Sequence, residues 1–263
     1  MKHHIERSRR AAWSYRQPLT HVPTATGATV SDLFVWRLSS EWETFFELTD
    51  MPGLFASAEG AQVKVMLMFF DASGQLILEK MVETPSNRRN TLAISEIVGS
   101  GHGESGTFSV FHSHTPLSLC AIGSHLTERG YVSYRYRNAP LRAYVHGNLD
   151  AVALMPDQSL QLLGGRSLLA REYNLQHSLA SNSIYELGIV NPTSQVQRFE
   201  CRTLCADGIL CTSQSVNLVP KGSHLFKVTP EYAQQRIVMR SRLVMARPLV
   251  FHMWDQSMDV FHG

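Results

Sequence analysis

The chain has 263 residues, of which 44% are hydrophobic and 17% charged, and its formal net charge is +2. That composition is globular and low in charge, which excludes an extended disordered chain and a strongly basic surface of the kind that holds nucleic acid. No apolar stretch reaches membrane-spanning length and residues 1–17 lack an apolar signal core, so the expected setting is the cytoplasm, with no membrane span.

Residues 1–28 read as a polar arm, with Arg7-Ser8-Arg9-Arg10 beside Trp13, Tyr15 and Arg16, and with Pro18, Pro23 and Gly27 as breakers. Strands then dominate. Residues 32–38 and 44–50 are short and rich in aromatic and β-branched side chains. Residues 63–70 form a nearly continuous apolar run, the signature of a central strand covered on both faces. Asp71-Ala72-Ser73-Gly74 supplies turn chemistry, since Asp bonds its own backbone two residues on and Gly accepts positive φ. The alternating run 76–83 completes a hairpin. A break at Pro85 is followed by a strand or helical turn over 91–97, a glycine-rich loop over 99–106 and a strand over 107–114. In the second half the same reading gives strands over 167–176, 184–190, 197–205, 209–218, 224–228, 237–245 and 249–254, with one turn of helix over 231–236.

The halves echo each other. Phe46-Glu47-Leu48 recurs as Tyr185-Glu186-Leu187, the turn at Gly74 as that at Gly208, and Val110-Phe111-His112 as Val250-Phe251-His252, at spacings of 139, 134 and 140 residues. The expected fold is therefore all-β: two tandem β-sandwich units, jelly-roll or Ig-like, from an internal duplication. The units are expected at 29–160 and 161–263 after the arm, and 117–161 reads as an insert without a counterpart in the second half. Their open sheet edges suit homo-oligomerisation.

That insert holds the densest polar-aromatic cluster. On two extended stretches joined by Asn138-Ala139-Pro140, alternation places Arg142, Tyr144, His146 and Asn148 on one side, and Tyr131, Ser133, Arg135 and Arg137 on one side of the other stretch. Arginine offers a rigid donor fork for carboxylate or phosphate, and tyrosine a flat face with a polar tip. Arg135, Arg137, Arg142, Tyr144, His146 and Asn148 are thus the candidate surface for a carbohydrate or small anion. The alternative is ordinary cross-strand Arg/Tyr packing.

Catalytic signals are sparse. His112-Ser113-His114 points two imidazoles to one side of a strand, and His146, His125 or Glu128 could complete a divalent-metal site of hydrolytic type. Ser113 or Ser124 with His125 and Glu128 lacks the context of a nucleophile elbow. Gly99-Ser100-Gly101-His102-Gly103 and Gly164-Gly165-Arg166 lack the Lys-Ser/Thr and the helix of a phosphate loop. Cys201, Cys205 and Cys211 contain no C-x2-C pair and read as small buried hydrophobes in a reducing compartment; a disulfide or metal contact across the Asp207-Gly208 turn is the alternative for Cys205 and Cys211.

Asp207-Gly208, the run Val219-Pro220-Lys221-Gly222-Ser223-His224-Leu225, and Arg247-Pro248-Leu249-Val250-Phe251-His252 together resemble the core pattern of the sensory rhodopsin transducer family. The resemblance implies a soluble, oligomerising β-sandwich that binds a ligand or partner without catalysis. It stops short of the arm and the insert, so no photoreceptor partner follows from it. The expected function is a non-catalytic cytoplasmic binding or assembly protein without a cofactor. A metal-dependent hydrolase using His112 and His114, and a structural oligomeric scaffold, are the alternatives.

Overall fold

A computed structural model of the chain describes residues 14–15, 29–49, 62–85, 89–112, 127–128, 130–147, 151–154, 160–163, 166–175, 177–193, 195–231, 235–243 and 247–263. The arm apart from 14–15, and Ser113, His114, Ser124, His125, Arg129, Asn148, Gly164 and Gly165, lie outside the described residues, as do residues 232–234 of the expected helical turn at 231–236.

The first half runs β1 (Ser14–Tyr15), β2 (Thr29–Asp32), β3 (Phe34–Arg37), β4 (Trp42–Thr49), β5 (Gln62–Asp71), β6 (Leu76–Pro85), β7 (Arg89–Ala93), a short helix α1 (Ile94–Val98), β8 (Ser105–His112), β9 (Thr127–Glu128), β10 (Tyr131–Tyr136), β11 (Ala143–His146), β12 (Ala151–Leu154) and β13 (Leu160–Leu163). The second half runs β14 (Arg166–Asn174), β15 (Ile184–Val190), β16 (Gln197–Leu204), β17 (Leu210–Leu218), β18 (Ser223–Val228), β19 (Arg236–Leu243), β20 (Leu249–Trp254) and β21 (Ser257–His262). The fold is all-β and of sandwich type, as the strand-length apolar runs require.

Among the described residues the strands form five sheets. Sheet I has the order β3-β8-β5-β6 and sheet II the order β11-β10-β4-β7. They pack face to face through Phe34 and Phe108 on sheet I and Phe46 on sheet II, with ring centroids 4.9 to 5.4 Å apart. Sheet III has the order β1-β14-β19-β16-β17 and sheet IV the order β18-β15-β20-β21. Their shared core contains Phe199, Ile237 and Met239 from sheet III with Tyr185, Leu187 and Phe226 from sheet IV. Sheet V, β13-β12-β2-β9, includes a parallel pair, β2 with β9. As expected, β5 is an interior strand with Val65, Leu67, Met68, Phe69 and Phe70 buried. The outer strand β6 carries Glu79, Lys80 and Glu83, and β17 carries Thr212, Ser213, Gln214, Ser215 and Asn217. Such polar edges lower the tendency to pair with another chain.

The order of pairing recurs. Strands β3, β8, β5 and β6 hold the places in sheet I that β14, β19, β16 and β17 hold in sheet III, and β7, β4, β10 and β11 hold the places in sheet II that β18, β15, β20 and β21 hold in sheet IV. The two hairpin turns also match in detail. Gly74 and Gly208 take φ of 79° and 84°, the Asp71 and Cys205 amides donate to Gln75 O and Ile209 O, and a register shift falls at Phe69/Phe70 and at Thr203/Leu204.

This topology corrects two expectations. Val110-Phe111-His112 ends β8, whose counterpart by position is β19 and not β20, the strand of Val250-Phe251-His252. Val110, Phe111, Val250 and Phe251 are all buried, and short apolar runs of this kind recur wherever a strand is covered on both faces. The segment 131–146 is not an insert, because β10 and β11 fill the places of β20 and β21. A third correction concerns the thiols. Cys205 and Cys211 are joined in a disulfide across the β16–β17 turn, and only Cys201 is the buried hydrophobe expected. Burial pushes the Cys201 thiol up to about 12.

The sandwiches pack end to face. At one end of the first, Arg37, Trp42 and Tyr134 meet the outer face of sheet IV. Phe251 of that face lies 5.3 Å from Trp42 and 4.8 Å from Tyr134 between ring centroids. The Arg37 guanidinium sits 3.5 Å from the Trp42 centroid and 2.6 Å from Glu186 Oε2. Burial pulls the Arg37 pKa below its ordinary value, and Glu186 pulls it back. At the same end the β5–β6 turn meets the Val219–Ser223 connection: Ser223 N donates to Ala72 O at 3.1 Å, and a Cβ on Gly74 would lie 2.3 Å from Pro220 O.

Candidate functional site

The outer face of sheet II holds in strand order the place of the buried face of sheet IV, and among the described residues it is partly exposed, through Tyr131 and Tyr144. Alternation along β4 sends Trp42, Thr44 and Phe46 into the core and Glu43, Phe45 and Glu47 outward. Along β10 it sends Val132, Tyr134 and Tyr136 inward and Tyr131, Ser133 and Arg135 outward. Cross-strand register then aligns Tyr144, Ser133, Phe45 and Ala93 in one row and His146, Tyr131, Glu47 and Thr91 in the next. Arg135 stands opposite Glu43.

The expected grouping is therefore met for Arg142, Tyr144 and His146, and for Tyr131, Ser133 and Arg135. Arg137 departs from it. It follows β10 with φ of 49°, and its Nε donates to Glu41 Oε1 at 2.7 Å, away from the face. Asn148 lies outside the described residues. His146 lies at the rim. Its ring is 4.4 Å from that of His262 in β21, and its Nδ1 donates to Gly147 O at 2.9 Å.

Sequence reasoning missed the carboxylates. Each arginine on this hairpin has one: Arg135 pairs with Glu43, Arg137 with Glu41 and Arg142 with Glu47. Glu47 is buried. Its Oε2 accepts from Arg89 Nε at 3.2 Å and from Thr91 Oγ1 at 2.7 Å, while Oε1 is 3.3 Å from Arg142. The glutamates at 41, 43 and 47, alternating with Trp42, Thr44 and Phe46, were the available signal. Among the described residues the face sets three guanidiniums, Arg89, Arg135 and Arg142, against two carboxylates, Glu43 and Glu47. One positive charge is in excess.

Two further features distinguish the face. The rings of Tyr131 and Tyr144 are 51% and 45% exposed, and Tyr144 lies 5.7 and 5.5 Å from the Arg89 and Arg142 guanidiniums. Ser133 Oγ and Arg135 Nε are buried without hydrogen-bond partners. Arg142 lies over Phe45 at 4.5 Å.

The metal reading gains no support here. His112 ends β8 in sheet I, opposite Val65, whereas His146 is in β11 of sheet II, and His114 lies outside the described residues. Among the described residues no three His, Cys, Asp or Glu side chains gather as metal ligands. No described helix is long and apolar enough to cross a membrane. No protein-family model and no curated protein matches the chain.

Proposed function

We propose that the chain is a non-catalytic binding protein, and that the outer face of sheet II recognises an anionic or saccharide ligand through Arg135, Arg142 and Tyr144, with Arg89, Tyr131 and Ser133 beside them. The observation that carries this reading is the contrast between equivalent faces. The outer face of sheet IV is apolar, with Leu249, Phe251 and Met253, and is buried by the first sandwich. Its counterpart on sheet II, among the described residues, is partly exposed, carries surplus positive charge and exposed tyrosines, and holds Ser133 Oγ and Arg135 Nε without partners. Arginine and tyrosine are the residue types that dominate recognition surfaces.

Calorimetric titration of the whole protein against a panel of small anions and sugars tests it. Changing Tyr144 and Arg142 to Ala abolishes the binding seen with the unaltered protein. Unchanged affinity in that double variant rejects the reading.

The matching strand orders and turns support descent of the sandwiches, residues 29–160 and 161–263, from one duplicated unit. The Cys205–Cys211 disulfide favours an oxidising surrounding over the cytoplasm expected from composition.

A further inference from the structure

A second feature adjoins the arginine face. A cleft of about 210 Å³ opens at the start of β4, lined among others by Ser39, Ser40, Glu41, Trp42, Ser95 and Asn138. Glu43 and Arg135 belong to both the cleft and the face, so the two form one continuous surface. We infer that this surface is a single site for an acidic saccharide, a sugar ring bearing one carboxylate, with the ring in the cleft and the carboxylate on the face. The inference rests on the ligand reading above and narrows it.

Three observations converge on that class. The cleft is smaller than the ~300 Å³ at which drug-sized pockets begin, so it admits about one ring. Its lining is mostly hydroxyl and amide: Ser39, Ser40 and Ser95 offer hydroxyls and Asn138 an amide, with Leu38 and the edge of the largely buried Trp42 as the apolar part. Glu41 and Glu43 are each held by one arginine, which leaves carboxylate lone pairs for sugar hydroxyls. Finally, the excess of one guanidinium on the face matches one carboxylate, and a dianionic phosphate would overshoot it.

The test is calorimetry on the full chain at low salt with three probes: trigalacturonate, the neutral galactotriose, and acetate. Trigalacturonate is expected to bind at least tenfold more tightly than either of the others. Ser95→Phe fills the cleft from an exposed position on α1 and should remove most of the trigalacturonate affinity. Arg142→Lys keeps the charge but loses the fork, and should weaken trigalacturonate severalfold without altering the thermal midpoint. Equal binding of acetate and trigalacturonate overturns the saccharide class while leaving the anion reading in place. Equal binding of galactotriose and trigalacturonate overturns the acidic requirement. Absence of binding by all three overturns the inference, and the wider panel of anions then decides the ligand reading separately.

Discussion

The contact of Arg37 with Glu186 joins the two sandwiches, and its energetics are open to measurement. Arg37 is 7% exposed, and its guanidinium is enclosed by Trp42, Phe251 and Glu186. Removing the carboxylate by Glu186→Leu strands a buried cation, and stranding one member of a buried pair costs about 3 kcal/mol or more. Removing the cation by Arg37→Met leaves Glu186, whose side chain retains 19% exposure and some water, and should cost less, about 2 kcal/mol, part of it the lost cation–π contact. The double variant replaces the pair by apolar volume and should cost no more than the worse single, giving a coupling of at least ~2 kcal/mol. Urea titrations followed by tryptophan fluorescence and far-ultraviolet dichroism supply all four corners of the cycle. Single effects that add to within ~0.5 kcal/mol would refute the reasoning, because they would mean that water already screens the pair.

Other outcomes follow from local geometry. Burial holds the His262 imidazole down at about 4, against an ordinary value of 6.5. The unfolded chain therefore takes up this proton first on acidification. Stability is complete above pH 6.5 and is lost between 6.5 and about 4, by at most ~3 kcal/mol; urea midpoints at pH 7.5 and 5 should converge in His262→Gln relative to the unaltered protein. The Cys205–Cys211 bond closes a short loop, with a sequence separation of 6, so changing both cysteines to Ser should cost about 2 kcal/mol by loop entropy, and dithiothreitol should reproduce the loss. A Cβ on Gly106 would lie 2.1 Å from Phe70 O and 2.8 Å from the Trp36 ring, whereas one on Gly188 comes no nearer than 3.3 Å, to the Leu225 Cδ2 methyl. Gly106→Ala should therefore cost ~2–3 kcal/mol and Gly188→Ala under ~1 kcal/mol, read from thermal midpoints.

Much of the fold is written in local chemistry. The Asp71–Gly74 and Asp207-Gly208 turns fix both long hairpins, because the bonds that Asp71 Oδ1 and Asp207 Oδ1 accept from the Gln75 and Ile209 amides and the positive φ of the glycines are properties of a few adjacent residues. Phe46-Glu47-Leu48 and Tyr185-Glu186-Leu187 land on β4 and β15, which hold equivalent places, since alternation over three residues sets which face is buried. What escaped is non-local. Four-residue strands such as β12 and β13 carry too few positions for a period to show. β21 was hidden because Ser257–His262 alternates weakly and follows a two-residue turn at Asp255, whose φ is 51°. Arg37 closes an apolar run, Leu33–Trp36, and nothing in its neighbours announces a carboxylate 149 positions later. The arginines of β10 and its sequel were legible as a group. Their neutralisation by Glu41, Glu43 and Glu47 depends on the pairing of β4 with β10, which no window of sequence contains.

End-to-face packing has a consequence for the outer face of sheet II. If the first sandwich presented there the apolar surface that sheet IV presents, nothing among the described residues would cover it, and another copy's second sandwich could dock as the first sandwich does on sheet IV. Such a contact joins unlike surfaces and does not close on itself, so it would propagate. Stacked repeats avoid this with a polar terminal face. Glu47 occupies on β4 the place of Glu186 on β15, but its partners, Arg89 of β7 and Arg142 just before β11, belong to the first sandwich, so it is already paired and buried there. The prediction is that Glu43→Leu, Glu47→Leu, Arg135→Leu and Arg142→Leu introduced together create a face like that of sheet IV. Sedimentation velocity should then show a concentration-dependent ladder of larger species, absent from the unaltered protein at the same loading. A folded quadruple variant that sediments as the unaltered protein does would show that the polar face has no part in limiting assembly.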